Sequence, residues 1–410
     1  MCLVSSNSLR SFKHRNFRIL YPANALSNIG TWTQRVAQDW LVLELTNNDA
    51  TTLGIVTALQ FLPAMLLSLY GGLLADRFNK RKLLLLTNIG AGFASVILGI
   101  LVVTGSVVLW HVFALALLLG IFTAIDSPIR VSFTSELVGK DDLANAVSLN
   151  SANFNAGRLI GPALSGFLIY QFGTGPSFLL NTATYVVMVV TLSVIRDKDL
   201  HISSKPNREN KLKEAFEYVL KRPDLLLVML TVFFTTTFGL NFQIFIALMS
   251  TNEFGMGSRE FGVLGSVLAV GSLTGALVAA RLEQHRNTRN VMLGASLFGA
   301  LLMASAYLPT YWIYGLFLPI LGATVLLTLI SANTYVQSNT DNAIRGRVMG
   351  IYLLIFMGGT PIGSPLIGLA ASAFGIRATI LICGLIVLSA ALVLRSVFRD
   401  SVTRSIPSPR

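Results

Sequence analysis

Arg35 and Asp39 stand four residues apart in a stretch, 17–45, that is otherwise largely apolar. On a helix, positions i and i+4 share a face, so a guanidinium and a carboxylate would meet wherever that stretch is buried. Asn24, Asn28 and Thr31 extend the same face, and Gln38 lies beside it. Such a polar stripe on an apolar helix is the expected wall of a cavity. A carboxylate in low dielectric beside a cation can exchange a proton when its surroundings change. It can equally form a static ion pair, and for Asp39 and Arg35 both readings stay open. A second guanidinium, Arg158, has Ser148, Ser151 and Asn155 at helical spacing along its face. It either faces the cavity, attracting an anionic group or tuning Asp39, or it bonds the carbonyls of a neighbouring helix. In the second half, Asn241 and the aromatics Phe238 and Phe356 would line an apolar wall suited to variable, amphipathic ligands, although each aromatic fits ordinary packing as well.

The elements that would hold these side chains are membrane helices. The chain has 410 residues, 53% hydrophobic and only 12% charged, with a mean hydropathy of +0.67. A soluble domain carries roughly twice that charged fraction. A helix crossing the hydrocarbon needs about 20 mostly apolar residues. Twelve such stretches can be read, near 17–45, 51–75, 83–104, 108–129, 143–171, 176–195, 225–250, 260–281, 290–308, 311–335, 347–373 and 376–394. Of the 31 basic residues, all but Arg35, Arg158, Arg259 and Arg377 fall in the terminal segments and in alternate loops. By the positive-inside rule those loops and both termini are cytoplasmic, in a multi-pass protein of the cell membrane. The net charge of +12 therefore reports topology and contact with anionic lipid headgroups, with no nucleic acid as partner.

The sequence also repeats. RLIGPALSGFLIYQFG begins at Arg158 and TPIGSPLIGLAASAFG begins 202 residues later at Thr360. Ile160, Gly161, Leu164, Gly166, Phe172 and Gly173 recur as Ile362, Gly363, Leu366, Gly368, Phe374 and Gly375. The matched stretches are the fifth and eleventh spans, which share an orientation, so the plan is a parallel repeat of six spans. The expected division is an N-terminal six-helix bundle at 1–195, a cytoplasmic linker at 196–223 and a C-terminal six-helix bundle at 224–410. Within the linker, Leu212, Phe216, Val219 and Leu220 share one helical face and Lys211, Lys213, Glu214, Glu217 and Lys221 occupy the rest. This predicts an amphipathic helix lying at the inner membrane surface.

Three motifs carry a family resemblance. GGLLADRFNKRKL, residues 71–83, resembles the loop between spans 2 and 3 of the major facilitator superfamily, with Gly72, Asp76, Arg77, Arg81 and Lys82 in the matching positions and Asn79 in place of a second Gly. The resemblance implies an inner gate, in which Gly72 permits a close helix approach and Asp76 pairs with Arg77, Arg81 or a partner helix. Asp126 and Arg130, four apart near the inner end of span 4, either join Asp76 and Arg77 in that gate or form an ion pair of their own at headgroup level. The second half, TGALVAARLEQHR, keeps Gly275 and Arg281 but has Ala280 in the Asp position. In span 5, Gly157, Gly161, Pro162 and Gly166 resemble the Gly-x3-Gly-Pro motif of drug-exporting antiporters, with Ser165 replacing one Gly. Such spacing permits tight helix contact and a bend. GTWTQRVAQDWLVLELT and DSPIRVSFTSELVGKDDLANAVSLNSA are similar to the drug:proton antiporter branch holding enterobactin-type exporters and macrolide efflux proteins.

The fold expected is an all-α membrane protein of twelve transmembrane helices in two parallel-repeat bundles. The resemblance implies a secondary active transporter exporting small amphipathic molecules by proton antiport and alternating access. A facilitator that imports a small nutrient shares that fold, and a channel or scramblase is a further alternative. The four histidines sit at span ends or in loops, and Cys2 and Cys383 are far apart. No catalytic set, metal-ligand spacing or nucleotide loop appears, so no enzyme activity, metal or cofactor is expected. The expected partners are a small-molecule substrate, protons and the lipid bilayer, with the protein acting as a monomer.

Overall fold

The computed structural model describes residues 9–201, 212–281, 287–341 and 344–398. Helices α1 (Arg15–Leu45), α2 (Ala50–Arg77) and α3 (Lys80–Val103) are followed by α4 (Leu109–Phe172) and α5 (Gly175–Val194). After the short α6 (Leu212–Leu220) come α7 (Pro223–Phe234), α8 (Phe242–Leu248), α9 (Ser258–Arg281), α10 (Thr288–Ser305), α11 (Tyr311–Ser338), α12 (Arg345–Phe374) and α13 (Ile376–Val397). No strand occurs among the described residues. Nine helical segments among the described residues are long and apolar enough to cross a membrane.

Twelve passes follow from three further facts. At 64 residues, α4 would be about 96 Å long, some three times the hydrocarbon thickness, so it makes two passes. The break is at Gly139, where φ of 71° and ψ of −176° depart from helical geometry. The charged segment read as a loop between 129 and 143 is in fact helical on both sides of this one residue. Only Gly adopts that φ without strain. The polar α1 and the 18-residue α10 complete the twelve. The span read at 225–250 is also not one regular helix. π-helical turns at Thr235–Gly239 and Met249–Glu253 flank α8. The buried Asn241 side chain donates to the Thr237 carbonyl at 2.8 Å, satisfying a group that the irregular turn releases.

Contacts divide the chain into two compact units, Met1–Leu45 with Leu62–Asn207, and Thr46–Phe61 with Arg208–Arg410. The repeat has a structural counterpart inside each. In the first, a Cβ added to Gly157 would lie 2.9 Å from Asn28, and one added to Gly161 would lie 2.5 Å from the Trp32 Cβ. In the second, the residues 202 positions on, Gly359 and Gly363, meet Thr236 and the Thr237 carbonyl oxygen, where a Cβ would overlap. Thus span 5 closes on span 1, and span 11 closes on span 7, through the same pair of glycines.

The expected amphipathic helix is α6. Ala215 and Val219 are buried while Phe216 and Leu220 are exposed apolar groups. Glu214 pairs with Arg347 of α12 at 2.7 Å. Arg222, just beyond α6, pairs with Asp224 of α7 at 2.8 Å. Lys211 and the linker residues 202–210 lie outside the described residues.

Candidate transport site in the first unit

Helix α1 supplies most of the polar side chains. Its Asp39 and Gln38 are wholly buried, and Gln38 donates to the Val112 carbonyl at 3.3 Å. Arg35 is partly exposed, and its guanidinium carbon lies 5.1 Å from the centre of the Trp32 ring. Arg158, from α4, approaches the same ring to 5.6 Å. The close crossing at Gly157 and Gly161 makes this possible, because those residues flank Arg158 on the face that meets α1. Asn28 sits at that crossing, while Asn155 turns its amide back to the Ser151 carbonyl at 2.9 Å. Trp32 was absent from the residues singled out in the sequence. Its spacing from Arg35 is readable, but its meeting with Arg158 depends on a contact between helices over 120 residues apart.

Aromatic pairs occupy the second unit. Phe238 stacks on Phe234 with centroids 6.4 Å apart, and Phe356 stacks likewise on Tyr352. Asn241 is committed to the π-turn carbonyl described above. These aromatic pairs stand in a unit whose buried polar groups are mainly hydroxyls, among them Thr235, Thr236, Thr237 and Ser250.

The six residues grouped as an inner gate do not form one cluster. Asp76 and Arg77 are exposed and make no ion pair among the described residues. Arg81 instead ties α3 to the end of α5, donating to the carbonyls of Leu192 and Ser193, each at 2.7 Å, and pairing with Asp197 at 2.8 Å. Gly72 faces open space, since nothing lies within 4 Å of a Cβ built there. The close approach belongs to Gly71, whose Cβ would sit 2.6 Å from the Pro128 ring. With Ala280 set opposite Asp76, Gly71 falls opposite Gly275, which crosses α11 at the Ala323 carbonyl in the same manner.

Asp126 and Arg130 do pair, at 2.6 Å, but with different company. Asp126 accepts from Thr87 and Asn88, both at 2.8 Å, and Arg130 donates to Asn24. Residues of α1, α3 and α4 therefore converge on one ion pair. Removing only the carboxylate leaves a largely buried guanidinium without its counter-charge, which typically costs about 3 kcal/mol or more. Asp126→Ala should accordingly lower the thermal midpoint of the purified protein by several degrees. Asp126→Ala combined with Arg130→Met should recover much of the loss, because the stranded charge is then gone. A double variant no more stable than Asp126→Ala would show that the network is not organised by charge.

A second polar node was also missed. Asp142, only 2% exposed, pairs with Arg10 at 2.7 Å, Lys13 at 2.6 Å and His14 at 2.8 Å. Ser11 joins through Asn145 at 2.7 Å. This pins the N-terminal segment to the junction between the two passes of α4. The signal in the sequence is the basic run Arg10–Arg18, but nothing in it names Asp142 as the partner.

Residues 6–407 match the family described as transmembrane secretion effectors, within the major facilitator superfamily. The chain belongs to this family. It is 25% identical over 370 residues to the staphyloferrin A transporter of Staphylococcus aureus, covering 90% of this chain and 92% of that one. The enterobactin exporter of Shigella boydii is 25% identical over 362 residues, covering 87% and 85%. Among solved structures, a bacterial homologue of the human lysosomal transporter Spinster, inward-facing and occupied, superposes with a TM-score of 0.77 at 14% identity, covering 97% and 99%. That likeness establishes the fold: twelve transmembrane helices in two parallel six-helix repeats. The protein is a multi-pass membrane transporter of a small molecule and not an enzyme.

Proposed function

We propose that this transporter exports small amphipathic molecules, of a drug-, macrolide- or siderophore-like kind, by proton antiport. The observation that carries this reading is a wholly buried carboxylate, Asp39, one helical turn from Arg35 on the helix closed by Gly157 and Gly161. Ionisable groups at such depth are costly and are kept for ion or substrate pathways. The name of one relative, an enterobactin exporter, favours outward movement, and that of another, a staphyloferrin A transporter, agrees with a siderophore-like substrate. The six-helix halves are 1–195 and 224–410, joined by 196–223, and the protein works as a monomer in the cell membrane with both termini in the cytoplasm. Alternating access exposes Asp39 to each side in turn. A proton taken from outside favours return to the inward-open state after substrate is released.

Inverted vesicles containing the protein test this directly. Their lumen corresponds to the cell exterior, so an acid lumen drives protons out and substrate in. A panel of fluorescent neutral, cationic and anionic amphiphiles should include at least one that accumulates only while the gradient lasts. If no probe responds to the gradient in either direction, proton-coupled export is the wrong reading.

A further inference from the structure

We infer that the first unit contains a binding site for an anionic group, and hence that the exported molecules carry a carboxylate or equivalent anion beside an apolar or aromatic body. The inference rests on the export reading for its biological meaning but on the Arg35–Trp32–Arg158 arrangement for its chemistry.

Both guanidinium carbons lie within 6 Å of one indole ring. Their neighbours differ. Arg35 shares its helical face with Asp39, one turn away. Arg158 makes no hydrogen bond or ion pair with any described residue, and the Trp32 ring is its contact. The assembly of Arg35, Arg158 and Asp39 thus carries a net positive charge at neutral pH.

Magnitudes decide what that excess charge is for. A guanidinium in the middle of a membrane helix costs about 2.5–3.5 kcal/mol by insertion scales. A cation–π contact returns about 0.5–2 kcal/mol, less than the cost. Simple helix packing does not demand the charge, since Gly157 and Gly161 already close the crossing. An anion between the two guanidinium groups would supply the missing counter-charge through charge-assisted hydrogen bonds. The exposed part of the indole would then take the apolar body of the same molecule. Both arginines are partly exposed rather than sealed within the helix packing.

The test is equilibrium binding to the purified full-length protein, with 2-naphthoate and its neutral counterpart 2-naphthylmethanol as probes. They share a ring system and differ in charge. A hydrogen-bonded charge of this kind is worth about ten- to hundredfold in affinity. The naphthoate should therefore bind at least about tenfold more tightly. Arg158→Gln should erase that preference, and Arg158→Lys should retain part of it. A cooperative thermal unfolding transition of the Arg158→Gln protein, close to the parent's, certifies that it is folded. Equal affinity for the two probes overturns the inference, and so does a preference that survives Arg158→Gln. Because binding does not depend on direction, the two readings fail separately. Gradient-driven accumulation of neutral probes with no binding preference for the carboxylate would leave export standing and remove the anion site. A binding preference lost in Arg158→Gln, with no gradient-driven accumulation of any probe, would do the reverse.

Discussion

Asp39→Asn is expected to abolish accumulation of substrate against a gradient while leaving downhill exchange in place. Each proton crossing a gradient of about one pH unit supplies about 1.4 kcal/mol, enough for about a tenfold concentration ratio. If Asp39 is the group that binds the proton, an uncharged amide of nearly the same shape cannot couple that energy to movement. The tenfold ratio should collapse to unity in inverted vesicles with an acid lumen. Downhill efflux from preloaded vesicles should persist, because the pathway itself remains. The competing role for Asp39, a static ion pair with Arg35, has a different signature. Breaking a buried pair by removing one partner typically costs about 3–5 kcal/mol, so Asp39→Asn would then chiefly lower the thermal midpoint and the yield of folded protein. Full gradient-driven accumulation by a well-folded Asp39→Asn protein would dismiss the proton-carrying role altogether.

The topology was readable from the chain because hydropathy and basic loops are properties of single segments. Even the repeat was visible, since Gly161 and Gly363 recur at a constant offset. What escaped the sequence were relations between segments. The charged run around Lys140 looks like a loop, but charge does not forbid a helix outside the membrane, and one Gly with positive φ suffices to separate two passes. Arg158 could be picked out as a costly residue, yet its meeting with Trp32 is fixed by how α4 crosses α1. Of the two readings of Asp126 and Arg130, the structure bears out their own ion pair rather than a join to Asp76 and Arg77, and it adds Thr87 and Asn88 as partners of Asp126. Sequence proximity to the cytoplasm suggested the join, whereas the rotation of each helix determines the partners.

Successive residues on a helix point about 100° apart, so of two adjacent glycines only one can face a given neighbour. The family motif draws attention to Gly72, but the contact falls on Gly71. Gly72→Ala should therefore be tolerated, and its better helix propensity can offset any small loss. Gly71→Ala forces a methyl against the Pro128 ring and should destabilise by about 1–3 kcal/mol. The effect should be larger at the repeated glycines. At Gly161 the added carbon meets the Trp32 Cβ at 2.5 Å and the Thr33 backbone nitrogen at 3.0 Å, and at Gly363 it meets the Thr237 carbonyl oxygen. Backbone atoms cannot swing aside as a flexible side chain does, so α4 must part from α1, and α12 from the π-turn at Thr235–Gly239. Thermal unfolding of purified Gly72→Ala, Gly71→Ala, Gly161→Ala and Gly363→Ala should rank them in that order of increasing damage, with the last two tied. Gly161→Ala carries a second consequence, because the same crossing brings Arg158 to the indole. Its carboxylate preference in the naphthoate comparison should fall even where folded protein is recovered. A Gly161→Ala protein with the parent's thermal midpoint and the parent's preference would mean that the crossing can widen freely, and that neither the packing of the repeat nor the placement of Arg158 depends on it.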